Sequence, residues 1–138
     1  VEAFEMGSEQ FRPVIPNTVA KSLAIGNPAS GTYALQTLAE TGGSAAAALE
    51  EEVAEGMQLL AETEGIFTET AGGVVIAALR RLVNQGKIGR DDLTVAFITG
   101  NGLKTPEVVA HLANPVHIDP TYDSFEAAMA KRSNGSSE

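Results

Sequence analysis

The 138-residue sequence contains no cysteine and no tryptophan, and it has only two histidines. The absence of cysteine excludes disulfides, thiolate nucleophiles and iron–sulfur clusters. His111 and His117 have no carboxylate at metal-ligand spacing, so no metal site is expected. No apolar run approaches the roughly 20 residues that cross a bilayer, which argues against a membrane protein. With 9 basic against 18 acidic residues, the net charge of −9 argues against nucleic-acid binding.

The start of the chain also lacks two features. No basic stretch followed by an apolar run opens the sequence, so no signal peptide is predicted. The first residue is Val1 rather than an initiator methionine, as expected of a segment that begins partway through a longer polypeptide.

Hydrophobic residues make up 43% of the chain, which is enough for a buried core. Their spacing, together with capping residues and stop signals, predicts a series of helices. These are a helix that stops at Gly42, a helix from Glu50 to about Gly65, a helix from Val75 to about Gly86, a helix capped by Thr105, and a last helix that begins at Asp123.

Two segments indicate strands. Residues 93–98 are apolar and β-rich, which is typical of a strand buried on both faces, whereas residues 44–49 fit either a short strand or a helix. Helices alternating with strands predict an α/β fold, with a partial parallel sheet and flanking helices, because two strands are too few for a complete sheet. We expect residues 1–132 to form one segment of a domain and residues 133–138 to form a disordered polar tail.

Small residues gather at three places where ligands commonly bind. Thr99-Gly100-Asn101-Gly102 follows the predicted strand 93–98, and ligands bind beyond the carboxyl ends of strands in open α/β sheets. Residues 69–73 and 26–30 place small residues before helices, where free N–H groups hold anions. Each place has a structural alternative, namely a glycine-rich turn or a helix cap. Spacing alone therefore leaves both interpretations open.

The three motifs together resemble a known family. Ile-Gly-Asn-Pro-Ala-Ser at 25–30, Glu-Gly-Ile-Phe-Thr-Glu-Thr-Ala-Gly-Gly at 64–73 and Ile-Thr-Gly-Asn-Gly-Leu-Lys at 98–104 occur in the order found in threonine synthases. These belong to the tryptophan-synthase-β-like, fold type II enzymes that use pyridoxal 5'-phosphate. The resemblance covers roughly residues 1–112 and implies the C-terminal part of the large domain. Thr70 departs from it, because the family commonly has proline there.

The resemblance implies a cytoplasmic enzyme that converts O-phosphohomoserine and water to threonine and phosphate. It implies that Thr99 hydrogen-bonds the pyridine nitrogen of the cofactor, that Gly100 belongs to the same cofactor-binding turn, that Glu69 lies beside the ring, and that Gly26 and Asn27 lie near its edge. It also implies a homo-oligomer.

The same resemblance indicates that the chain is incomplete as an enzyme. The family's Schiff-base lysine and its glycine-rich phosphate loop precede the matching region, and neither motif occurs in this sequence. We therefore expect the chain to be inactive without an N-terminal partner segment. Two alternatives remain, a non-catalytic α/β module that self-associates, and an anion-binding domain that the net charge disfavours.

Overall fold

A computed structural model describes residues 1–113 and 116–135 of the chain. Its α-helices in these ranges are α1 (Glu2–Glu5), α2 (Gly31–Thr41), α3 (Glu50–Glu64), α4 (Thr70–Asn84), α5 (Ala110–Ala113) and α6 (Tyr122–Gly135). Short 3-10 helices cover Lys21–Leu23, Gly102–Lys104 and Pro106–Val108.

The core lies between α3 and α4. Val53, Met57 and Leu60 fall on one face of α3, and all three side chains are buried. Ile76 and Ala77 provide buried positions on α4. Because the two helices are joined only by residues 65–69, they pack as neighbours in sequence and in space.

Two glycines let α3 and α4 approach through their backbones. A Cβ atom added to Gly56 would lie 2.5 Å from the carbonyl oxygen of Gly73. A Cβ atom added to Gly73 would overlap the carbonyl oxygen of Val53 and lie 2.9 Å from Cγ of Met57. Glycine is therefore required at both positions by the close approach of the helices.

The predicted helices are largely confirmed, with differences at their ends. α2 and α3 end before Gly42 and Gly65, which adopt the left-handed conformation common after a helix. α4 begins at Thr70, earlier than apolar spacing indicated, because the small residues of its first turn are buried against the rest of the structure. The helix predicted after Thr105 is instead a 3-10 helix followed by the short α5.

The C-terminal helix α6 runs from Tyr122 to Gly135, so the polar tail predicted from Ser133 begins inside it. Residues 136–138 lie outside the described part of the chain. The division of the chain into residues 1–132 and a tail thus stays a prediction.

The predicted parallel sheet is not confirmed, since residues 1–113 and 116–135 contain no strand and only an isolated antiparallel bridge between Thr68 and Asn101. Residues 93–98 form no helix and no strand, and they are not buried: Leu93 is 97% exposed and Phe97 is 79% exposed. Residues 44–49 form no helix and no strand. An extended segment becomes a strand only when another segment pairs with its backbone, and none of the described residues does so.

Candidate functional site

The candidate site consists of two segments, residues 67–70 and residues 99–105. The second segment forms a turn, which we call the Thr99 turn. It lies against residues 67–70 at the start of α4. The Thr68 hydroxyl donates to the carbonyl oxygens of Thr99 and Gly100, at 3.4 Å each. The backbone N–H of Gly102 donates to the carbonyl oxygen of Phe67 at 3.0 Å. These bonds join segments that are about thirty residues apart in sequence.

Both glycines of the turn make room for residues of the other segment. Gly100 has a φ of +73°, and a Cβ atom there would overlap the carboxyl group of Glu69. A Cβ atom on Gly102 would lie 2.5 Å from the ring of Phe67. The two motifs therefore fit each other. Gly100 and Gly102, which were predicted to let the backbone approach a ligand, instead let it approach Glu69 and Phe67.

Glu69 has its carboxyl group buried in this contact, with 6% of its side chain exposed. It occupies the N-cap position of α4 but accepts no capping hydrogen bond through its side chain. Instead, its Oε1 atom lies 3.1 Å from Nζ of Lys104, whose side chain is 60% exposed. The carboxylate thus has a charged partner on the Thr99 turn.

Thr70 and Thr105 form a further link between the segments. The backbone N–H of Thr70, the first residue of α4, donates to Oγ1 of Thr105 at 3.3 Å. Such an N–H has no partner within its own helix, so the side chain of Thr105 satisfies it. The hydroxyl of Thr70 is buried and has no hydrogen-bond partner among the described residues.

The structure brings together three of the five predicted site residues. Glu69, Thr99 and Gly100 meet at the Thr99 turn, and the side chain of Thr99 is exposed there. Gly26 and Asn27 make no hydrogen bond to the Thr99 turn within the described residues. Instead, the carbonyl oxygen of Gly26 accepts a hydrogen bond from the backbone N–H of Val14 at 3.0 Å. A Cβ atom on Gly26 would overlap the backbone of the same valine, so its role in this structure is a close backbone approach.

Sequence reasoning missed the role of Lys104. The residue was visible at the end of the motif 98–104, but only the fold shows that it pairs with Glu69. Lys104 is the lone cation in a motif otherwise made of neutral residues, but this local feature did not indicate Glu69 as its partner.

Two carboxylates in the first turn of α3 have a lowered pKa. Hydrogen bonds from the backbone of Leu49 and from Arg81 lower the pKa of Glu52 below its ordinary value. A hydrogen bond from the backbone of Val19 and another from Thr18 likewise lower the pKa of Glu50. Both carboxylates stabilise the start of α3, away from the Thr99 turn, and they identify no second acid–base site.

Two other features are absent from the part of the chain that the structure describes. Residues 1–113 and 116–135 contain no group of three or more acidic or histidine residues placed to hold a metal ion. None of the helices in the same ranges is both long and apolar enough to cross a membrane.

A family model described as "Pyridoxal-phosphate dependent enzyme" matches residues 2–100, which include α1 to α4 and the beginning of the Thr99 turn. The chain belongs to this family of pyridoxal-phosphate dependent enzymes. Its membership confirms the class of fold expected from the three motifs, although residues 1–113 and 116–135 contain helices and no strand.

Among curated relatives, the chain is similar to several threonine synthases. It is 37% identical over 131 residues to that of Methanosarcina acetivorans, covering 94% of the chain and 32% of the relative. It is 39% identical over 121 residues to that of Methanocaldococcus jannaschii, covering 86% and 30%. It is 44% identical over 91 residues to that of Halalkalibacterium halodurans, covering 66% and 26%. The chain therefore spans about a third or less of these relatives, in their C-terminal part.

The residues of the Thr99 turn fit the chemistry of a pyridoxal-phosphate ring. Thr99 has an exposed side chain on a backbone held by the Thr68 hydroxyl, so a neutral hydroxyl is available on a fixed support. A neutral hydroxyl suits a pyridine nitrogen. The described residues do not fit the cofactor's phosphate equally well, because the nearby cation Lys104 is already paired with Glu69.

Proposed function

We propose that this chain is part of a threonine synthase and supplies one side of its pyridoxal-phosphate site. The parent enzyme would convert O-phosphohomoserine and water to threonine and phosphate. The observation that supports this most directly is the mutual fit of residues 67–70 and 99–105, which leaves the side chain of Thr99 exposed on a fixed turn. The similarity to three curated threonine synthases supports the choice of reaction.

Thr99 would donate a hydrogen bond to the ring nitrogen of the cofactor. Its hydroxyl carries no charge, so it would leave this nitrogen largely unprotonated, whereas an aspartate would favour the protonated form. The bound cofactor supplies delocalisation of the negative charge that develops on the substrate carbons. Thr99 would therefore moderate how strongly the ring withdraws that charge.

Gly100 and Glu69 would hold the backbone beside Thr99 in place for this hydrogen bond. Gly100 permits the left-handed backbone of the turn and leaves room for the carboxyl group of Glu69 beside it. Gly26 and Asn27 are proposed to approach the edge of the ring once the remaining part of the enzyme is present. The fold of the described chain holds Gly26 against Val14 and thus gives that loop a defined backbone.

The remaining two thirds of such an enzyme would provide the lysine that carries the cofactor and the loop that binds its phosphate. We accordingly propose that the chain is inactive on its own and needs this N-terminal part as its partner. The exposed apolar residues Leu93, Val95 and Phe97 support a partner, because a group of exposed apolar side chains commonly marks an interaction surface. We also propose that the assembled enzyme is a homo-oligomer.

A hybrid enzyme tests this function. The matching C-terminal third of the Methanosarcina acetivorans threonine synthase is replaced by this chain, and phosphate release from O-phosphohomoserine is measured. We expect the hybrid to bind pyridoxal phosphate and to form threonine, and the chain alone to form none. A folded hybrid that binds the cofactor but forms no threonine would contradict the proposed reaction.

Thr99→Asp in the hybrid tests the proposed hydrogen bond. We expect the absorbance of the bound cofactor to change and turnover to fall about tenfold or more, because one altered hydrogen bond at a ring nitrogen is worth about 1–3 kcal/mol. Thr99→Ser is the matched control, since it keeps the hydroxyl, and it should retain the wild-type spectrum. An unchanged spectrum and rate in Thr99→Asp would show that Thr99 is only a turn residue.

The second candidate function is a non-catalytic module that self-associates. The exposure of Leu93 and Phe97 favours it, because association of two copies would also cover these side chains. Light scattering of the isolated chain distinguishes the candidates: a folded monomer would exclude self-association as its function.

A further inference from the structure

The ion pair between Lys104 and Glu69 connects both segments of the site. We propose that Lys104 is a positioning residue, which holds the buried carboxylate of Glu69 next to Gly100. It thereby fixes the Thr99 turn in the orientation that the cofactor ring needs. The inference rests on the proposed function for its consequence at the cofactor, but the effect on the turn itself is independent of it.

The burial of Glu69 makes a charged partner necessary. Only 6% of its side chain is exposed, and a carboxylate taken out of water is strongly destabilised unless it is paired or hydrogen-bonded. Its N-cap position at α4 offers a partial positive charge, but the carboxyl group makes no side-chain bond to that helix start. Lys104 Nζ, at 3.1 Å from Oε1, therefore provides the charge compensation seen in the described part of the chain.

The backbone of the turn directs Lys104 toward Glu69. Lys104 is the last residue of the 3-10 helix Gly102–Lys104, whose N-cap side chain, Asn101 Oδ1, accepts from Leu103 N at 2.9 Å. Lys104 N donates to the carbonyl oxygen of Asn101 at 3.1 Å, which closes the same turn. The side chain of Lys104 is thus 60% exposed, whereas its backbone is held by the turn.

Gly100 makes the position of Glu69 matter for Thr99. The carboxyl group of Glu69 occupies the space where a side chain on residue 100 would lie, so Glu69 and the backbone next to Thr99 are in direct contact. If Lys104 no longer held the carboxylate, Glu69 would turn toward water to regain solvation. The support beneath Gly100 would then be lost, and the Thr99 turn would become more mobile.

Three variants of the hybrid enzyme test the proposal, namely Lys104→Met, Lys104→Arg and the double variant Lys104→Met/Glu69→Gln. Amide hydrogen exchange over residues 99–105 is measured on the cofactor-free protein, and the dissociation constant of pyridoxal phosphate is measured by absorbance titration. We expect Lys104→Met to speed exchange and weaken cofactor binding, each about tenfold, which corresponds to the loss of one charge-assisted hydrogen bond.

The other two variants identify the cause. Lys104→Arg keeps the positive charge and should restore slow exchange and tight binding. The double variant removes both charges and should recover most of the loss, because a neutral amide at residue 69 no longer needs a cation. A surface lysine without a positional task would leave Lys104→Met at wild-type values, which would overturn the proposal.

A direct contact between Lys104 and a ligand would give another pattern. In that case the double variant would bind the cofactor as weakly as Lys104→Met, while exchange over residues 99–105 would not change, and this result would also overturn the proposal. The proposed function can fail separately. If the hybrid binds no pyridoxal phosphate but Lys104→Met still speeds exchange, the positioning of the turn stands and the cofactor site is refuted.

Discussion

The close approach of α3 and α4 at Gly56 gives a sharp test of what holds this fold together. In Gly56→Ala, the new Cβ atom would lie 2.5 Å from the carbonyl oxygen of Gly73, roughly an ångström inside an ordinary contact. That oxygen belongs to the backbone of α4, so no side chain can move aside. The helices must separate, which also loosens the packing of the buried Val53 and Met57.

Two opposing terms set the magnitude. Overpacking in a well-packed core costs about 1–3 kcal/mol, and backbone contact places this site at the upper end. Replacing glycine by alanine inside a helix stabilises it by about 0.5–1 kcal/mol. We therefore expect the free energy of local opening of the helix pair to fall by about 2 kcal/mol. This corresponds to an increase of about thirtyfold in the rate of amide hydrogen exchange.

Hydrogen exchange of the α3 and α4 amides, followed by mass spectrometry, measures this local free energy in the protein that carries the chain. The matched control is Ala61→Gly on the exposed surface of α3, which reports the helix-propensity term with the opposite sign. If Gly56→Ala slowed exchange by as much as Ala61→Gly speeds it, propensity alone would explain the result. The close contact between the helices would then be refuted.

Two further predictions concern buried and charged groups. Thr70→Val removes a buried hydroxyl that has no partner among the described residues, so we expect a gain of about 1 kcal/mol in the free energy of unfolding, measured by urea titration, and a loss of that size would show that the hydroxyl is bonded. Hydrogen bonds from the backbone of Leu49 and from Arg81 hold the pKa of Glu52 below its ordinary value in the folded state. The stabilisation from Glu52 is therefore present above the unfolded pKa and is lost as pH falls through the folded pKa. Acid titration of stability should be flatter in Glu52→Gln than in the wild type over that range, and equal slopes would contradict the assignment.

The helices of this fold were predictable because their signals are local. The spacing of Val53, Met57 and Leu60 indicates the buried face of α3, and Gly65 marks its end. The sheet was not predictable in the same way, because a strand depends on backbone partners that lie far away in sequence. Residues 93–98 have the composition of a buried strand, but exposure of 97% at Leu93 shows that composition alone does not supply those partners.

The site was partly predictable for a related reason. Glu69 and Gly100 belong to motifs whose small residues predict close contacts. In the structure, Glu69 and Gly100 contact each other. The pairing of Glu69 with Lys104 depends on a fold that joins residues 35 positions apart, so no local pattern announced it. The loop that contains Gly26 and Asn27 is bonded to Val14 through the carbonyl oxygen of Gly26, and no hydrogen bond among the described residues joins either residue to the Thr99 turn.

The short link between α3 and α4 has a consequence for how the site is assembled during synthesis. Helices joined by residues 65–69 make mainly local contacts, and such pairs fold early and quickly. Thr68 is then already in place when Thr99, which lies 31 residues later in the sequence, is synthesised. Residues 89–97, which connect the two, are exposed throughout. A protease that cuts within this connection would leave the helix pair folded while releasing the Thr99 turn, so limited proteolysis separates the helix pair from the turn that packs on it.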